Sequence, residues 1–326
     1  MRVLLTGGNG FVGSHILDTL RASGVEVCLL LRRGSDRRFI AKHLDAVAIQ
    51  EGAITEPAHL DRALEGATHV IHCAGATRAL SERQFFEINE GGTRNVVEAI
   101  RRHGGIRRMV HISSLAAVGA AVRGQVLTEG DSERPTSAYG RSKLAADVQV
   151  RERCPTEYAI LRPPAVYGPR DVEFLRLFKA VRRGFKPVFG DGGQELSFSY
   201  VADLAHAAVV CLTAAGAVRR TYFVAGPERV TSREFGALVA DVAQCRARLL
   251  RIPTWVLFPL CLGQDAVSQL TGRASVLSRH KFGEFRAEAL TCDPSPMARD
   301  TGFHSGTDLR TGLRNTLEWY QGQGWI

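Results

Sequence analysis

Eight residues near the N-terminus, Thr6-Gly7-Gly8-Asn9-Gly10-Phe11-Val12-Gly13, constrain this chain more than any other stretch. They join a short apolar strand, Val3–Thr6, to a helical pattern over Gly13–Ala22. Gly7 permits a tight turn, Gly10 lets the backbone approach an anion, and Gly13 lets the helix close on the strand. Free main-chain N–H groups at the helix start then suit a diphosphate. Asn9, Phe11 and Val12 complete the cradle. A strand, an anion-binding turn and a helix in this order are the opening unit of a parallel sheet.

The pattern continues. Glu26–Leu31, Val47–Gln50, Val70–His72, Met109–Ile112 and Tyr158–Leu161 read as further strands. Helical patterns over Ala58–Leu64, Phe85–Arg102 and Tyr139–Arg153 lie among them. This alternation predicts an α/β fold: a doubly wound parallel sheet of the Rossmann kind, with helices on both faces. Beyond Arg162 the rhythm breaks at Pro163-Pro164, Gly168-Pro169 and Gly190–Gly193, which predicts a smaller, mostly helical C-terminal lobe. Residues 1–162 are expected to form the dinucleotide-binding domain, with 196–226 rejoining it. Residues 163–195 and 227–326 are expected to form the substrate-binding lobe.

Composition excludes several classes. With 326 residues, of which 45% are hydrophobic, a core of ordinary size is available. No stretch approaches the roughly 20 apolar residues of a membrane-spanning helix, and the glycine turn comes too early for a signal peptide. A soluble, cytoplasmic protein is expected. The net charge of +9 comes from 42 basic residues, only five of them lysines. The arginine pairs, such as Arg32-Arg33 and Arg182-Arg183, are scattered and not interleaved with aromatics, so no nucleic-acid partner is expected. Seven cysteines form no CxxC pair, and neither a metal site nor a disulfide is expected. The run Trp255–Leu262, with an amphipathic stretch through Leu277, admits two readings. It is ordinary lobe core, or it covers an apolar pocket or meets a membrane surface beside Arg273, Arg279 and Lys281.

Chemistry concentrates in Tyr139-Gly140-Arg141-Ser142-Lys143. Residues four apart share a helix face, so the phenol and ammonium enter one space. A free phenol titrates near pH ~10, and a neighbouring cation is expected to lower it. Ser113 and Ser114 follow the strand ending at Ile112, at the carboxyl edge where such sheets bind ligands. One of them can hydrogen-bond a substrate oxygen while Tyr139 exchanges its proton. After the second strand, Leu30-Leu31-Arg32-Arg33 offers no carboxylate for a ribose 2′-hydroxyl. Arg32 instead suits a 2′-phosphate, which favours NADP over NAD.

These stretches together resemble the extended short-chain dehydrogenase/reductases over nearly the whole chain. The resemblance also rests on His72-Cys73-Ala74-Gly75, on Asn89 with Gly92-Thr93-Arg94-Asn95-Val96, and on Arg162-Pro163-Pro164-Ala165-Val166-Tyr167-Gly168-Pro169. It implies Ser114, Tyr139 and Lys143 as catalytic residues, with Lys143 also on the nicotinamide ribose. It implies cofactor contacts from Ala74, Gly75, Pro163 and Val166, and a structural or cofactor-contacting role for Asn89. A homodimer through Phe85–Arg102 and Tyr139–Arg153 is the family expectation. Where the family often carries Gly-Asp after the third strand, this chain has Gly52-Ala53, leaving a backbone contact from Ile54.

The resemblance also bears on the substrate. Sugar-nucleotide enzymes of the group commonly hold a substrate diphosphate with an asparagine and an arginine, where this chain has Ala165 and Leu196. Each missing charged hydrogen bond is worth roughly 1.5–3 kcal/mol. The apolar run before Cys292-Asp293-Pro294 resembles the 3β-hydroxysteroid dehydrogenase group, including sterol 4-carboxylate decarboxylating enzymes. The expected activity is therefore oxidoreduction of a secondary alcohol or ketone on a bulky apolar small molecule, a 3β-hydroxysterol first, with decarboxylation of any 4-carboxylate. The alternatives are a nucleotide-sugar epimerase or dehydratase, an NADPH-dependent ketone or aldehyde reductase, and a non-catalytic sensor.

Overall fold

A computed structural model describes residues 1–272, 274–275 and 278–326. Its central sheet is wholly parallel and has seven strands. Six are β1 (Arg2–Thr6), β2 (Glu26–Leu31), β3 (Ala48–Glu51), β4 (His69–His72), β5 (Arg108–Ile112) and β6 (Glu157–Arg162). The seventh, Arg220–Phe223, pairs with β6 and gives the order Arg220–Phe223, β6, β5, β4, β1, β2, β3. The chain reverses direction across the sheet between β1 and β4, and ligands bind in the crevice such a reversal opens.

Burial explains why the strand centres, such as Val3–Leu5, Val27–Leu31 and Val70-Ile71, are apolar. Every residue of β4 and β5 is buried, because helices cover both faces. Alternation assigns the faces: Val3 and Leu5 pack with Ile16, Leu17 and Leu204, whereas Leu4 packs with Val96, Val97 and Val150. Helix α1 (Phe11–Ala22) and helix Val201–Val210 lie together on the first face. Helices Gly92–His103 and Ala138–Arg153 cover the second.

The smaller lobe is held by aromatics. Phe198 stacks on Phe235 at 4.2 Å, and Phe178 meets Tyr320 edge-on at 5.6 Å. Strand Glu195–Tyr200 pairs with three short strands, Ala165–Tyr167, Arg229–Thr231 and Ala289–Leu290. Among the described residues, no helix is long and apolar enough to cross a membrane.

Two expected elements differ from the structure. The helix read over Phe85–Arg102 is a helical run interrupted by a π-turn at Glu87–Gly91. The run Trp255–Leu262 lies in helix Thr254–Thr271, where only Leu257, Cys261 and Ser268 are buried. It is therefore not lobe core along most of its length. Arg273 and Leu277, expected beside it, lie outside the described residues.

Buried histidines give the fold an acid limit. His72 sits between the hydroxyls of Thr6 (2.7 Å) and Thr93 (3.0 Å) and stacks on His111 at 5.3 Å. Burial holds His72 and His111 below the ordinary imidazole range and lowers His15 from 6.5 to about 4. At each of these sites the unfolded chain takes up a proton below pH 6.5, while the folded site resists, His15 until about 4. Their stabilising contribution is complete above pH 6.5 and is lost as pH falls through their depressed folded values, for His15 about 4. Asp171, pushed up to about 6 by burial, works in the opposite sense and offsets part of the loss. Urea midpoints measured across this range should decline toward acid; a flat or rising profile would contradict neutral buried imidazoles.

Candidate active site

One cavity of about 1030 Å³ runs along the carboxyl edge of the sheet. Its cofactor end is built on the glycine turn. Gly7 has a φ of 71°, and a Cβ there would lie 2.7 Å from the Ala74 nitrogen. A Cβ on Gly13 would lie 2.1 Å from the Gly7 carbonyl oxygen. Helix α1 is capped by Gly10, which offers no side-chain acceptor, so the first N–H groups of the helix remain for a ligand. The turn thus fits a diphosphate, and no side chain larger than hydrogen fits at Gly7 or Gly13 without movement.

The residues expected from the sequence to contact the cofactor, with Ser114, Tyr139 and Lys143, all line this cavity. Gly7, Asn9, Gly10, Phe11, Val12 and Gly13 form the cradle, and Arg32 stands exposed at the end of β2. Ile54 lines the wall, but its carbonyl already accepts from Asn95 Nδ2 at 3.0 Å. Ala74 and Gly75 follow β4, while Pro163 and Val166 follow β6. Thr6 joins the two sides of the crevice: its hydroxyl meets His72 Nδ1 and accepts the Ala74 N–H at 3.2 Å.

Ser114, Tyr139 and Lys143 converge at the middle of the cavity. Ser137 caps the helix that carries the pair, accepting the Gly140 N–H at 2.9 Å. Lys143 is buried and donates to the Ile112 carbonyl at 2.8 Å. Ser114 hydrogen-bonds the Tyr139 phenol, whereas Ser113 faces Asp147. The phenol is pushed up, not down, from its ordinary value: burial acts first and Glu284 second, against the Ser114 hydrogen bond. The lowering expected from a neighbouring cation does not prevail, because Tyr139 is almost fully enclosed and a carboxylate stands nearby. Burial also lowers the Lys143 ammonium, with Asp147 opposing.

Several residues were not apparent in sequence. Lys281, read there as a surface cation, instead places its ammonium 4.2 Å from the centre of the Tyr139 ring. It lines the cavity with Glu284, which accepts from Ser137 Oγ at 2.5 Å. Arg78, paired with Glu173, lines the same end. Nothing in the local pattern around Lys281 announces this position; it depends on how the C-terminal lobe folds back.

Asn89 takes a positioning role. It is buried in the π-turn, and its Oδ1 accepts the Ala76 N–H at 2.7 Å. Its Nδ2 donates to Ser142 Oγ at 2.9 Å, and Ser142 donates to the Tyr139 carbonyl at 2.7 Å. A π-turn shifts the helix register by one residue, which aims this amide across the crevice. Asn89→Ala should cost about 1–3 kcal/mol, since it leaves buried partners unpaired. Urea denaturation checks this, and an unchanged midpoint would remove Asn89 from the positioning network.

Comparison with known proteins follows the same lines. Residues 3–225 match the model of the NAD dependent epimerase/dehydratase family. A ceramide reductase of Caulobacter vibrioides is 32% identical over 332 residues, covering 99% of this chain and 96% of that protein. A 3beta-hydroxysteroid-dehydrogenase/decarboxylase isoform 2 of Arabidopsis thaliana is 23% identical, covering 97% of this chain and 61% of that protein. The crystal structure of a Thermus thermophilus UDP-glucose 4-epimerase in complex with NAD superposes with a TM-score of 0.78 at 26% identity, covering 99% of each chain. With the glycine cradle, the parallel sheet and a match over two-thirds of its length, this chain is an enzyme belonging to the NAD dependent epimerase/dehydratase family, within the extended short-chain dehydrogenase/reductases.

Proposed function

We propose that the protein is an NADP-preferring oxidoreductase that interconverts a secondary alcohol and a ketone on a bulky apolar lipid. One observation carries the substrate class: Ala165 and Leu196, where sugar-nucleotide relatives hold a diphosphate, both line the substrate end of the cavity. An anionic diphosphate would there meet a methyl and an isobutyl group.

The chain's own groups suit carbonyl reduction. Ser114 donates to the carbonyl oxygen, and Tyr139, held in its neutral form by burial, releases its proton to that oxygen. Lys143 and the main-chain N–H groups of α1 would hold the dinucleotide. Bound in reduced form, the nicotinamide supplies the hydride that the carbonyl carbon accepts. In the oxidative direction the proton moves from the carbinol to the phenolate of Tyr139.

Two carriers fit this reading. The 32% identity to a ceramide reductase favours a ceramide-type lipid in its ketone form, because ceramide carries a secondary hydroxyl on its sphingoid chain. A 3β-hydroxysterol is the second, with decarboxylation following if a carboxylate sits beside the ketone. The nucleotide-sugar alternative draws on Lys281, whose side chain lines the same cavity and offers a phosphate a cation.

The test is turnover with ketone-bearing ceramide, 3β-hydroxysterols with and without a 4-carboxylate, and UDP-glucose, following nicotinamide absorbance and product by chromatography. Lipid-dependent turnover of nicotinamide is expected, NADPH being oxidised by the ketone or NADP⁺ reduced by the hydroxysterol; conversion of UDP-glucose without net change in nicotinamide would overturn the reading. Arg32 decides the cofactor. Arg32→Asp should shift the ratio of kcat/KM for NADPH over NADH by about 10- to 100-fold toward NADH, the loss of one charged hydrogen-bonding partner. An unchanged ratio would make Arg32 an ordinary surface arginine.

A further inference from the structure

We infer that helix Thr254–Thr271 is a docking surface for a lipid bilayer that contains anionic headgroups. The helix exposes Trp255 at 76% and Leu270 at 88%, with Phe258, Leu260, Leu262 and Val267 each at 41% or more. These six are the majority of the eleven large apolar side chains exposed among the described residues, on a helix of 18 residues. Apolar surface gathered so closely on a soluble chain marks a contact, not scatter. The one charged residue of the helix, Asp265, turns inward and pairs with Arg279 at 3.4 Å. The outward face therefore presents no charge to hydrocarbon.

Its flanks carry the opposite character. Arg248 and Arg251 are exposed on the strand that leads into the helix. Arg286 is exposed on helix Phe282–Arg286, its guanidinium over the Phe282 ring, and Phe282 packs edge-on against Phe258 at 5.3 Å. An apolar face rimmed by arginines matches the acyl boundary of a membrane and its anionic headgroups. A protein partner burying this face would have to supply acidic groups around an apolar centre; an anionic bilayer offers both in one plane. With Pro259 inside it, the helix is an interfacial and not a spanning element.

The helix also touches the segment that leads out of the cavity wall. Gln269 Nε2 donates to the Leu80 carbonyl at 2.8 Å, beside the loop that carries Ala76, Thr77 and Arg78 into the cavity wall. Docking would bring the cavity mouth to the bilayer. The docking claim stands on the surface alone; only the idea that substrate enters from the bilayer rests on the lipid reading above.

The test uses the full chain and large vesicles of phosphatidylcholine with phosphatidylglycerol, against vesicles of phosphatidylcholine alone. Trp319 and Trp325 pack together at 4.8 Å and are partly buried, so Trp255 is the reporter. Its emission should shift to the blue on anionic vesicles, and the protein should sediment with them, more weakly at high salt. The triple variant Trp255→Ser, Phe258→Ser, Leu262→Ser should lose partitioning by at least about tenfold while keeping its melting temperature. The pair Arg251→Glu, Arg286→Glu should abolish the preference for anionic vesicles. Absence of sedimentation with either vesicle, or equal partitioning of the triple variant, would overturn the proposal. So would a wild-type dimer in sedimentation velocity that the triple variant dissolves, because a second copy would then cover this face. Loss of lipid turnover with binding intact would fault the assigned activity and not the docking.

Discussion

Tyr139→Phe should lower kcat by about 10²- to 10⁴-fold, the range attributed to a positioned general acid or base, while dinucleotide affinity stays within a few-fold. The substitution removes one oxygen and keeps the ring against Phe85 at 5.8 Å and beneath Lys281. Packing is thereby conserved and the proton donor alone is lost. The direction of the phenol's shift adds a second expectation. Because burial and Glu284 keep Tyr139 protonated past neutrality, ketone reduction should not fall through the neutral range on its account. Alcohol oxidation needs the phenolate and should quicken as pH rises. Fluorescence titration with NADPH, with steady-state profiles in both directions, checks each point. A variant that retains wild-type turnover would make the protein a binder of its cofactor, or move the chemistry to another residue.

How far the site was legible depended on how local its cause is. The glycine turn was visible because its requirement is short-range: Gly13 touches the Gly7 carbonyl six residues away, and no other residue fits. Strand β2 was visible because a covered parallel sheet demands near-continuous apolar runs, here Val27–Leu31. Tyr139 and Lys143 were visible because helical spacing alone puts them on one face. Lys281 was not, because its place above Tyr139 is fixed by contacts between distant segments, such as Ser137 with Glu284. The strands Ala165–Tyr167, Arg229–Thr231 and Ala289–Leu290 are too short for an alternation to register, and they exist through Glu195–Tyr200. Helix Thr254–Thr271 was legible as apolar, but its sequence does not state that most of that surface faces outward.

A still deeper layer lies behind the reactive groups, and removing one member of it should cost the fold about 3–5 kcal/mol. Tyr139, Lys143 and Asp147 succeed one another at four-residue spacing, so the helix that presents the phenol also carries a carboxylate into the core. Asp147 is fully buried. It accepts from Arg162 Nε at 2.8 Å and lies 3.4 Å from His111 Nε2, while Arg162 also pairs with Glu133. This cluster ties the ends of β5 and β6 to the helix, immediately before Pro163 enters the cavity. Asp147→Ala would leave Arg162 and Lys143 buried with less countercharge, and replacing one member of such a set is far worse than replacing all. Although burial alone would raise it, His111 and Arg162 hold the Asp147 carboxyl down to about 2, against 3.8 when unfolded. That difference contributes about 2 kcal/mol at neutral pH, present above pH 3.8 and lost as pH falls toward 2. Urea denaturation of Asp147→Ala should therefore show a large loss at neutral pH that narrows in acid, where the wild-type carboxyl is itself protonated. A loss below about 1 kcal/mol, or one independent of pH, would mean that solvent or Glu133 compensates the exposed charges. The position of Lys143 would then rest on its hydrogen bond to the Ile112 carbonyl.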